Sequence, residues 1–150
     1  MKTPARPHSG PYVAEPPPAY LARPPIVVDC SVLVAVLFQE SSREEAVRTI
    51  AGKTLHAPIL LDSEMANVAV KKTRGGVPAA VVGDALARYT EHAIELHRPD
   101  VQAQYALAMR YGLSAYDAAY LWLAGALQSP LASFDARLVK AARDYLARPA

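Results

Sequence analysis

The stretch from Pro25 to Phe38, PIVVDCSVLVAVLF, most constrains the fold, because one carboxylate, Asp29, interrupts an otherwise apolar run. The β-branched residues before Asp29 predict a buried strand of a parallel sheet, and Ser31 predicts the N-cap of a helix over residues 32–38. Asp29 would then lie at the carboxyl end of a strand, where open α/β sheets bind ligands. Burying an unpaired carboxylate costs on the order of several kcal/mol, so a cation, backbone N–H groups or water must satisfy it.

The charge distribution excludes one class of nucleic-acid binder. The chain has 150 residues, enough for one domain with a buried core. Three of its 16 basic residues and one of its 14 acidic residues lie in residues 1–24, so the rest of the chain carries equal numbers of both. A basic surface that coats a groove is therefore not expected, and any phosphate recognition needs a local site.

Cysteine content and hydropathy bear on location. Cys30 is the only cysteine, so neither an internal disulfide framework nor a zinc site built on several cysteines is possible. This favours a reducing compartment, and we expect a cytoplasmic protein. The sequence has no apolar run long enough to predict a membrane span.

Residues 1–24 hold seven of the thirteen prolines and show no helical or strand period. Proline at this density predicts a flexible, polyproline-like arm, which precedes a single domain over residues 25–150. Residues 17–20 spell PPxY, a pattern that WW domains bind. Such short matches are common in proline-rich segments, so the pattern alone assigns no partner.

After the first strand and helix, short apolar segments alternate with amphipathic ones. Strands are predicted over residues 54–57, 93–96 and 131–134. Helices are predicted from a capping box at Ser41 and Ser42 to about Gly52, from Pro58 to about Arg74, and over residues 77–90, 99–111, 113–127 and 136–146. This alternation predicts an α/β fold with a parallel sheet covered by helices on both faces.

Four acids stand out by their placement in these elements. Asp29 and Asp135 each follow a predicted strand, whereas Glu64 and Asp117 share helical rows with large apolar side chains. A parallel sheet can bring all four to one crevice, where their mutual repulsion would require partial protonation or a bound cation. Ligation by oxygen alone suits Mg²⁺ or Mn²⁺ better than zinc. The reaction class that follows is metal-assisted hydrolysis of a phosphodiester.

Each acid also has a purely structural explanation. Asp29 and Asp135 are plausible helix caps, and Ser114 with Asp117 matches the S-x-x-D capping pattern. Glu64 is the hardest to explain in this way, because it lies beyond the first turn of its predicted helix and on the apolar row. The four histidines show no ligand spacing and receive no role; they are His8, His56, His92 and His97.

Four short motifs resemble those of the PIN-domain ribonucleases, and among them the VapC-like toxins of bacterial toxin–antitoxin pairs. The motifs are VVDCS around Asp29, APILLDSEMANV around Glu64, LSAYDAAYLWLA around Asp117 and LASFDARL around Asp135. The resemblance covers Pro25 to about Leu146. It implies a three-layer α/β/α sandwich with a central, mainly parallel sheet.

The resemblance also implies a function. It implies an endoribonuclease, dependent on Mg²⁺ or Mn²⁺, that hydrolyses RNA to leave a 5′-phosphate and a 3′-hydroxyl. Such a protein would be the toxin of a type II system, covered by a cognate antitoxin and commonly a homodimer. The catalytic quartet would be Asp29, Glu64, Asp117 and Asp135. All four are candidate metal ligands, although Glu64 has the alternative role of orienting the attacking water.

Further residues receive supporting roles on this interpretation. Ser31, Asn67 and Ser133 are candidates for hydrogen bonds that steady the acids, although Ser31 as a helix cap and Asn67 as a solvated residue are equally good explanations. Arg137 and Lys140 are the candidates for RNA phosphates, because they follow Asp135 on its helix. The denser basic cluster of Lys71, Lys72 and Arg74 is a weaker candidate for phosphate binding, because it lies two to three turns past Glu64 and suits the end of a helix.

Two other functions remain open from the sequence. The first is a catalytically inactive PIN-like module that binds RNA or protein. The second is a magnesium-dependent phosphatase or receiver-type domain, which is disfavoured because no acidic pair follows the first strand and no phosphate-binding lysine follows a strand.

Overall fold

The short apolar segments form one sheet in which every pairing is parallel. Its strands are β1 (Pro25–Val28), β2 (Thr54–Pro58), β3 (Ile94–His97) and β4 (Leu131–Ala132), in the order β3-β2-β1-β4. The computed structural model describes residues 23–148. Most of the predicted proline-rich arm, with its PPxY pattern, lies outside these residues.

Seven helices complete the described part of the chain. They are α1 (Cys30–Leu37), α2 (Arg43–Ile50), α3 (Leu61–Arg74), α4 (Ala79–Glu91), α5 (Val101–Tyr111), α6 (Ala115–Leu127) and α7 (Ala136–Leu146). Together with the sheet they form a three-layer α/β/α sandwich, so the predicted fold class is confirmed. No helix between residues 23 and 148 combines the length and apolar character needed to cross a bilayer.

The core centres on β1 and on the helices that cover it. Val27 and Val28 are fully buried, as expected for a central parallel strand with helices on both sides. Helix α6 packs on β1 and β2, and six of its residues are buried. Tyr120 of α6 bonds Glu64 in the first turn of α3, which follows β2, so this part of α6 lies near the carboxyl end of β2.

Two predicted helix starts were wrong. Helix α1 begins at Cys30, with Asp29 rather than Ser31 at the N-cap position, because the Ser31 hydroxyl makes other hydrogen bonds. Helix α3 begins at Leu61 rather than Pro58, because Pro58 still pairs with His97 at the end of β2. Proline is tolerated there because it ends the strand and is not needed as a donor.

The capping box predicted at the start of α2 is only partly present. Ser42 occupies the N-cap position, but its side chain makes no capping hydrogen bond. Its backbone has ψ near 5° instead of the extended conformation that normally turns a capping hydroxyl toward the helix. The predicted N-cap position was therefore correct, but the predicted capping hydrogen bond is absent.

Candidate functional site

Asp29 lies directly after β1 and is 8% exposed. It occupies the N-cap position of α1, yet its carboxylate makes no capping hydrogen bond. Instead its Oδ2 accepts hydrogen bonds from the hydroxyls of Ser31, at 2.8 Å, and Ser133, at 2.7 Å. Helix capping therefore does not account for this buried acid.

The same two hydroxyls tie the turn after β1 to the turn after β4. Ser31 Oγ accepts the backbone N–H of Phe134, and Ser133 Oγ accepts the backbone N–H of Asp135, both at 3.0 Å. Each serine thus donates to Asp29 and accepts from the segment after β4. Because β1 and β4 are neighbours, this network fixes the relative positions of the first and last acids.

Asp135 is exposed and caps helix α7. Its Oδ1 accepts the backbone N–H groups of Arg137, at 2.8 Å, and Leu138, at 3.0 Å. The capping explanation raised by the sequence is correct here. Since both capping bonds use Oδ1, Oδ2 remains for another partner.

Glu64 lies in the first turn of α3, not beyond it, because the helix starts later than predicted. The hydroxyl of Tyr120 donates a hydrogen bond to its Oε2. Burial raises the pKa of Glu64, the Tyr120 hydrogen bond lowers it, and the negative charges of Asp29 and Asp117 raise it again. The net effect is a raised pKa, and part of the increase comes from the charges of two other acids, Asp29 and Asp117.

Asp117 is held at the start of α6 by Ser114. Ser114 Oγ accepts the backbone N–H of Asp117 at 3.0 Å and donates to its Oδ2 at 2.8 Å. The predicted S-x-x-D cap is therefore present. As in the other three acids, these contacts engage one carboxylate oxygen and leave the second one free of them.

The four acids are oriented by these hydrogen bonds but do not form a tight cluster. Among residues 23–148, no three of them bring carboxylate oxygens within 4.8 Å of one another. Asp29 and Asp135 are linked through Ser133, and Asp29 and Asp117 both act on the pKa of Glu64. The four negative charges are thus held in place by neutral hydroxyl and backbone N–H donors.

A groove of about 440 Å³ lies beside Glu64, the one of the four acids that lines it. Three predicted site residues line it, namely Ser31, Glu64 and Asn67. The remaining lining residues are Cys30, Val34, Glu40, Ser42, Val68, Lys71 and Phe134. Lys71 is the basic residue that lines this groove. Its neighbour Lys72 forms an ion pair with Glu40 at 2.9 Å.

Arg137 and Lys140 line a different groove, beside Tyr111 and Asp144. Arg137 Nη2 donates to the carbonyl oxygen of Gly112 at 2.5 Å, which ties α7 to the end of α5. A role for these two residues in RNA binding stays a prediction.

Sequence reasoning missed the role of Tyr120. Tyr120 is fully buried, and its hydroxyl donates a hydrogen bond to Glu64. One available signal was its position three residues after Asp117, which places both side chains on the same face of α6.

Comparison with known proteins agrees with this architecture. The family model described as PIN domain matches residues 26–144. The chain is 35% identical over 114 residues to VapC ribonuclease Mb0985 of Mycobacterium bovis, which covers 75% of this chain and 87% of that protein. It is 30% identical over 122 residues to ribonuclease VapC3 of Pyrobaculum aerophilum, which covers 77% of this chain and 92% of the relative.

A solved structure supports the fold independently. The crystal structure of PAE2754 from Pyrobaculum aerophilum superimposes with a TM-score of 0.65 at 22% identity, covering 83% of this chain and 88% of that one. The matched family region begins one residue inside β1, includes the other three strands and ends within α7. The chain therefore belongs to the PIN-domain family and is a VapC-like member of it.

Proposed function

We propose that this protein is an endoribonuclease that depends on Mg²⁺ or Mn²⁺ and acts as the toxin of a type II toxin–antitoxin pair in the cytoplasm. The relatives named above are called ribonucleases, and they match most of this chain. The observation that carries the proposal is the state of the four acids. In each, one oxygen is fixed by a protein donor while the other is left out of those contacts.

The donor set fits a hard divalent cation. Asp29, Glu64, Asp117 and Asp135 offer oxygen ligands only, which suits Mg²⁺ or Mn²⁺. The raised pKa of Glu64 is partly caused by neighbouring negative charge, and a cation would relieve that repulsion. When bound, such an ion lowers the pKa of a coordinated water and stabilises charge on the phosphoryl group.

The protein's own contribution is orientation and proton handling. Ser31 and Ser133 hold the Asp29 carboxylate in one position, and the α7 backbone does the same for Asp135. The raised pKa of Glu64 makes its carboxylate a stronger proton acceptor than an ordinary glutamate, so we assign it the role of general base. Because Tyr120 occupies Oε2, Oε1 of Glu64 would orient the attacking water and take its proton.

The groove supplies contacts for RNA. Lys71 and Asn67 lie one to two helical turns after Glu64 on α3 and line the same cavity. We assign Lys71 to a phosphate of the substrate and Asn67 to a sugar or base. Lys71 is a better candidate for phosphate binding than Arg137 and Lys140, because it lines the same groove as Glu64 and they line the other one.

Protein partners follow from the same proposal. A cognate antitoxin would cover the acidic site, and a second copy of the chain would form a homodimer. Helix α5 supports the latter, because Val101, Tyr105 and Met109 recur every four residues and are all exposed. An apolar row of this kind on a helix surface marks a protein contact more often than free surface.

The test is cleavage of a defined RNA by purified protein with Mn²⁺, with Mg²⁺ or with excess chelator. Wild type should cleave only with metal and leave 5′-phosphate ends, whereas Asp29→Asn should lose at least about 100-fold in rate, as for loss of a group acting directly on the reaction. Asp84→Asn, an exposed acid on α4, is the matched control and should retain full activity.

Two results would contradict the proposal. Equal cleavage by Asp29→Asn and wild type would trace the activity to a contaminant. Metal binding without cleavage of any RNA offered, in protein freed of antitoxin, would favour the inactive binding module instead.

A further inference from the structure

Two histidines and a glutamate converge on strands β2 and β3, away from the four acids. His56 pairs with Glu95 across the two strands, and His97 lies two residues further along β3. Alternate residues of a strand share a face, and directly paired residues of parallel strands do too. All three side chains therefore project from the same face of the sheet, and none lines the groove beside Glu64.

The ligating atoms of these residues are close enough to share one ion. His56 Nδ1 lies 3.0 Å from His97 Nε2 and 3.4 Å from Glu95 Oε2. The three atoms all lie within 4.8 Å of one another, which no other such trio among residues 23–148 achieves. Two atoms bound to one zinc ion at its usual bond lengths in a tetrahedron are about 3.3 Å apart. The observed separations are therefore close to those of a zinc site.

Hydrogen bonding alone satisfies this cluster poorly. His56 Nδ1 faces both the ring nitrogen of His97 and the carboxylate of Glu95. A ring nitrogen carries either one proton or one lone pair, so Nδ1 can form a full-strength hydrogen bond with only one of these two partners at a time. A metal ion would engage all three atoms at once.

We infer that His56, Glu95 and His97 form a second metal site, specific for Zn²⁺ or a similar transition-metal ion. Imidazole nitrogen favours zinc over Mg²⁺, so the two sites of the protein would select different ions. The His56 side chain is 10% exposed and that of Glu95 is 62% exposed, which anchors the site in the sheet and leaves it open to solvent on one side. Three protein ligands and a water would complete the coordination.

The position of the site defines what the ion would do. Strand β3 is one of the two edge strands of the sheet, and among the described strands it pairs only with β2. An ion bound by His56 from β2 and by Glu95 and His97 from β3 would cross-link the two strands. Zinc binding would thus stabilise the edge of the sheet, independently of ribonuclease activity.

The experiment is calorimetric titration of tag-free, chelator-treated full-length protein with Zn²⁺, carried out in Asp29→Asn so that the acidic site contributes less. One zinc per chain should bind. Glu95→Gln and His97→Gln should each weaken binding at least about tenfold, the lower limit seen for loss of groups that only support a ligand. The matched controls are Glu91→Gln and His92→Gln, which lie just before β3 and outside the cluster.

Cobalt gives a second readout. Co²⁺ bound to the parent protein should show the visible absorption of low-coordinate cobalt, and Glu95→Gln should lose it while remaining folded by circular dichroism. Absence of zinc binding, or unchanged affinity in both ligand variants, would overturn the inference. Neither readout involves RNA, so failure of the proposed nuclease activity would leave this test unaffected.

Discussion

Ser133 donates a 2.7 Å hydrogen bond to Asp29, although the two residues are 104 positions apart in the sequence. The same hydroxyl accepts the backbone N–H of Asp135, so one small side chain sets the positions of two acids. We therefore expect Ser133 to act by positioning Asp29 and Asp135.

Replacing Ser133 by alanine should therefore lower activity more than stability. We expect a rate of RNA cleavage 10–100-fold lower, roughly the effect of removing a group that orients a metal ligand, and a loss of about 1 kcal/mol in the free energy of unfolding. Initial rates over a range of Mn²⁺ concentrations, with urea unfolding, measure the two effects. Ser41→Ala, in an exposed turn, is the control. A rate equal to wild type at every Mn²⁺ concentration would contradict the positioning role.

Glu64→Gln should make the metal-free protein more stable at neutral pH. The raised pKa of Glu64 means that the folded state binds its proton more tightly than the unfolded state does. This stabilisation is complete below the unfolded-state pKa of about 4.3 and is lost as the pH rises through the folded-state pKa. Glutamine stays neutral and can still accept the Tyr120 hydrogen bond, so the variant escapes that loss. Urea unfolding with chelator, at acidic and at neutral pH, should show a gap between variant and wild type that opens with pH. A constant gap would refute the explanation.

Lys71→Gln should weaken RNA binding, since Lys71 is the exposed lysine that lines the groove beside Glu64. We expect KM to rise severalfold with little change in kcat. The slope of log affinity against log salt concentration should decrease in magnitude by about 1, the value for loss of one phosphate contact. Lys140→Gln is the informative comparison, because Lys140 was predicted from the sequence. A larger effect for Lys140 than for Lys71 would show that RNA follows the other groove.

Two glycines in helices should respond oppositely to alanine. A Cβ on Gly83 of α4 would meet no atom within 4 Å, so Gly83→Ala should raise the free energy of unfolding by about 0.5–1 kcal/mol. A Cβ on Gly125 of α6 would lie 2.4 Å from the ring of Tyr145, which must then move and give up packing against α6. Gly125→Ala should therefore gain nothing or be destabilising, as measured by urea unfolding. Equal gains at both positions would show that Tyr145 relaxes at no cost.

Tyr105→Glu should disrupt the proposed homodimer. Tyr105 lies in the middle of the exposed apolar row on α5, where a charge would be buried on association. Light scattering after gel filtration should show a dimer for wild type and a monomer for the variant. Val81→Glu on α4 is the matched control, because Val81 is also exposed but lies on another helix. Persistence of the dimer in Tyr105→Glu would show that the interface does not include this row of α5.

The sequence predicted local features well and three-dimensional neighbours poorly. The strand that ends at Val28 and the Ser114 cap follow from residue type and spacing, and both are present. The partnership of Tyr120 with Glu64 depends on how α6 packs against α3, which no local pattern encodes. The convergence of His56 and His97 likewise depends on the pairing of β2 and β3, because their 41-residue separation carries no ligand spacing.

The pairing of β1 with β4 has a consequence for synthesis. Ser133 is made 104 residues after Asp29, so a chain that stops before β4 still lacks the hydroxyl that links Asp29 to the turn carrying Asp135. The proposed nuclease would therefore stay inert during synthesis until the turn after β4 has been made and β4 has paired with β1.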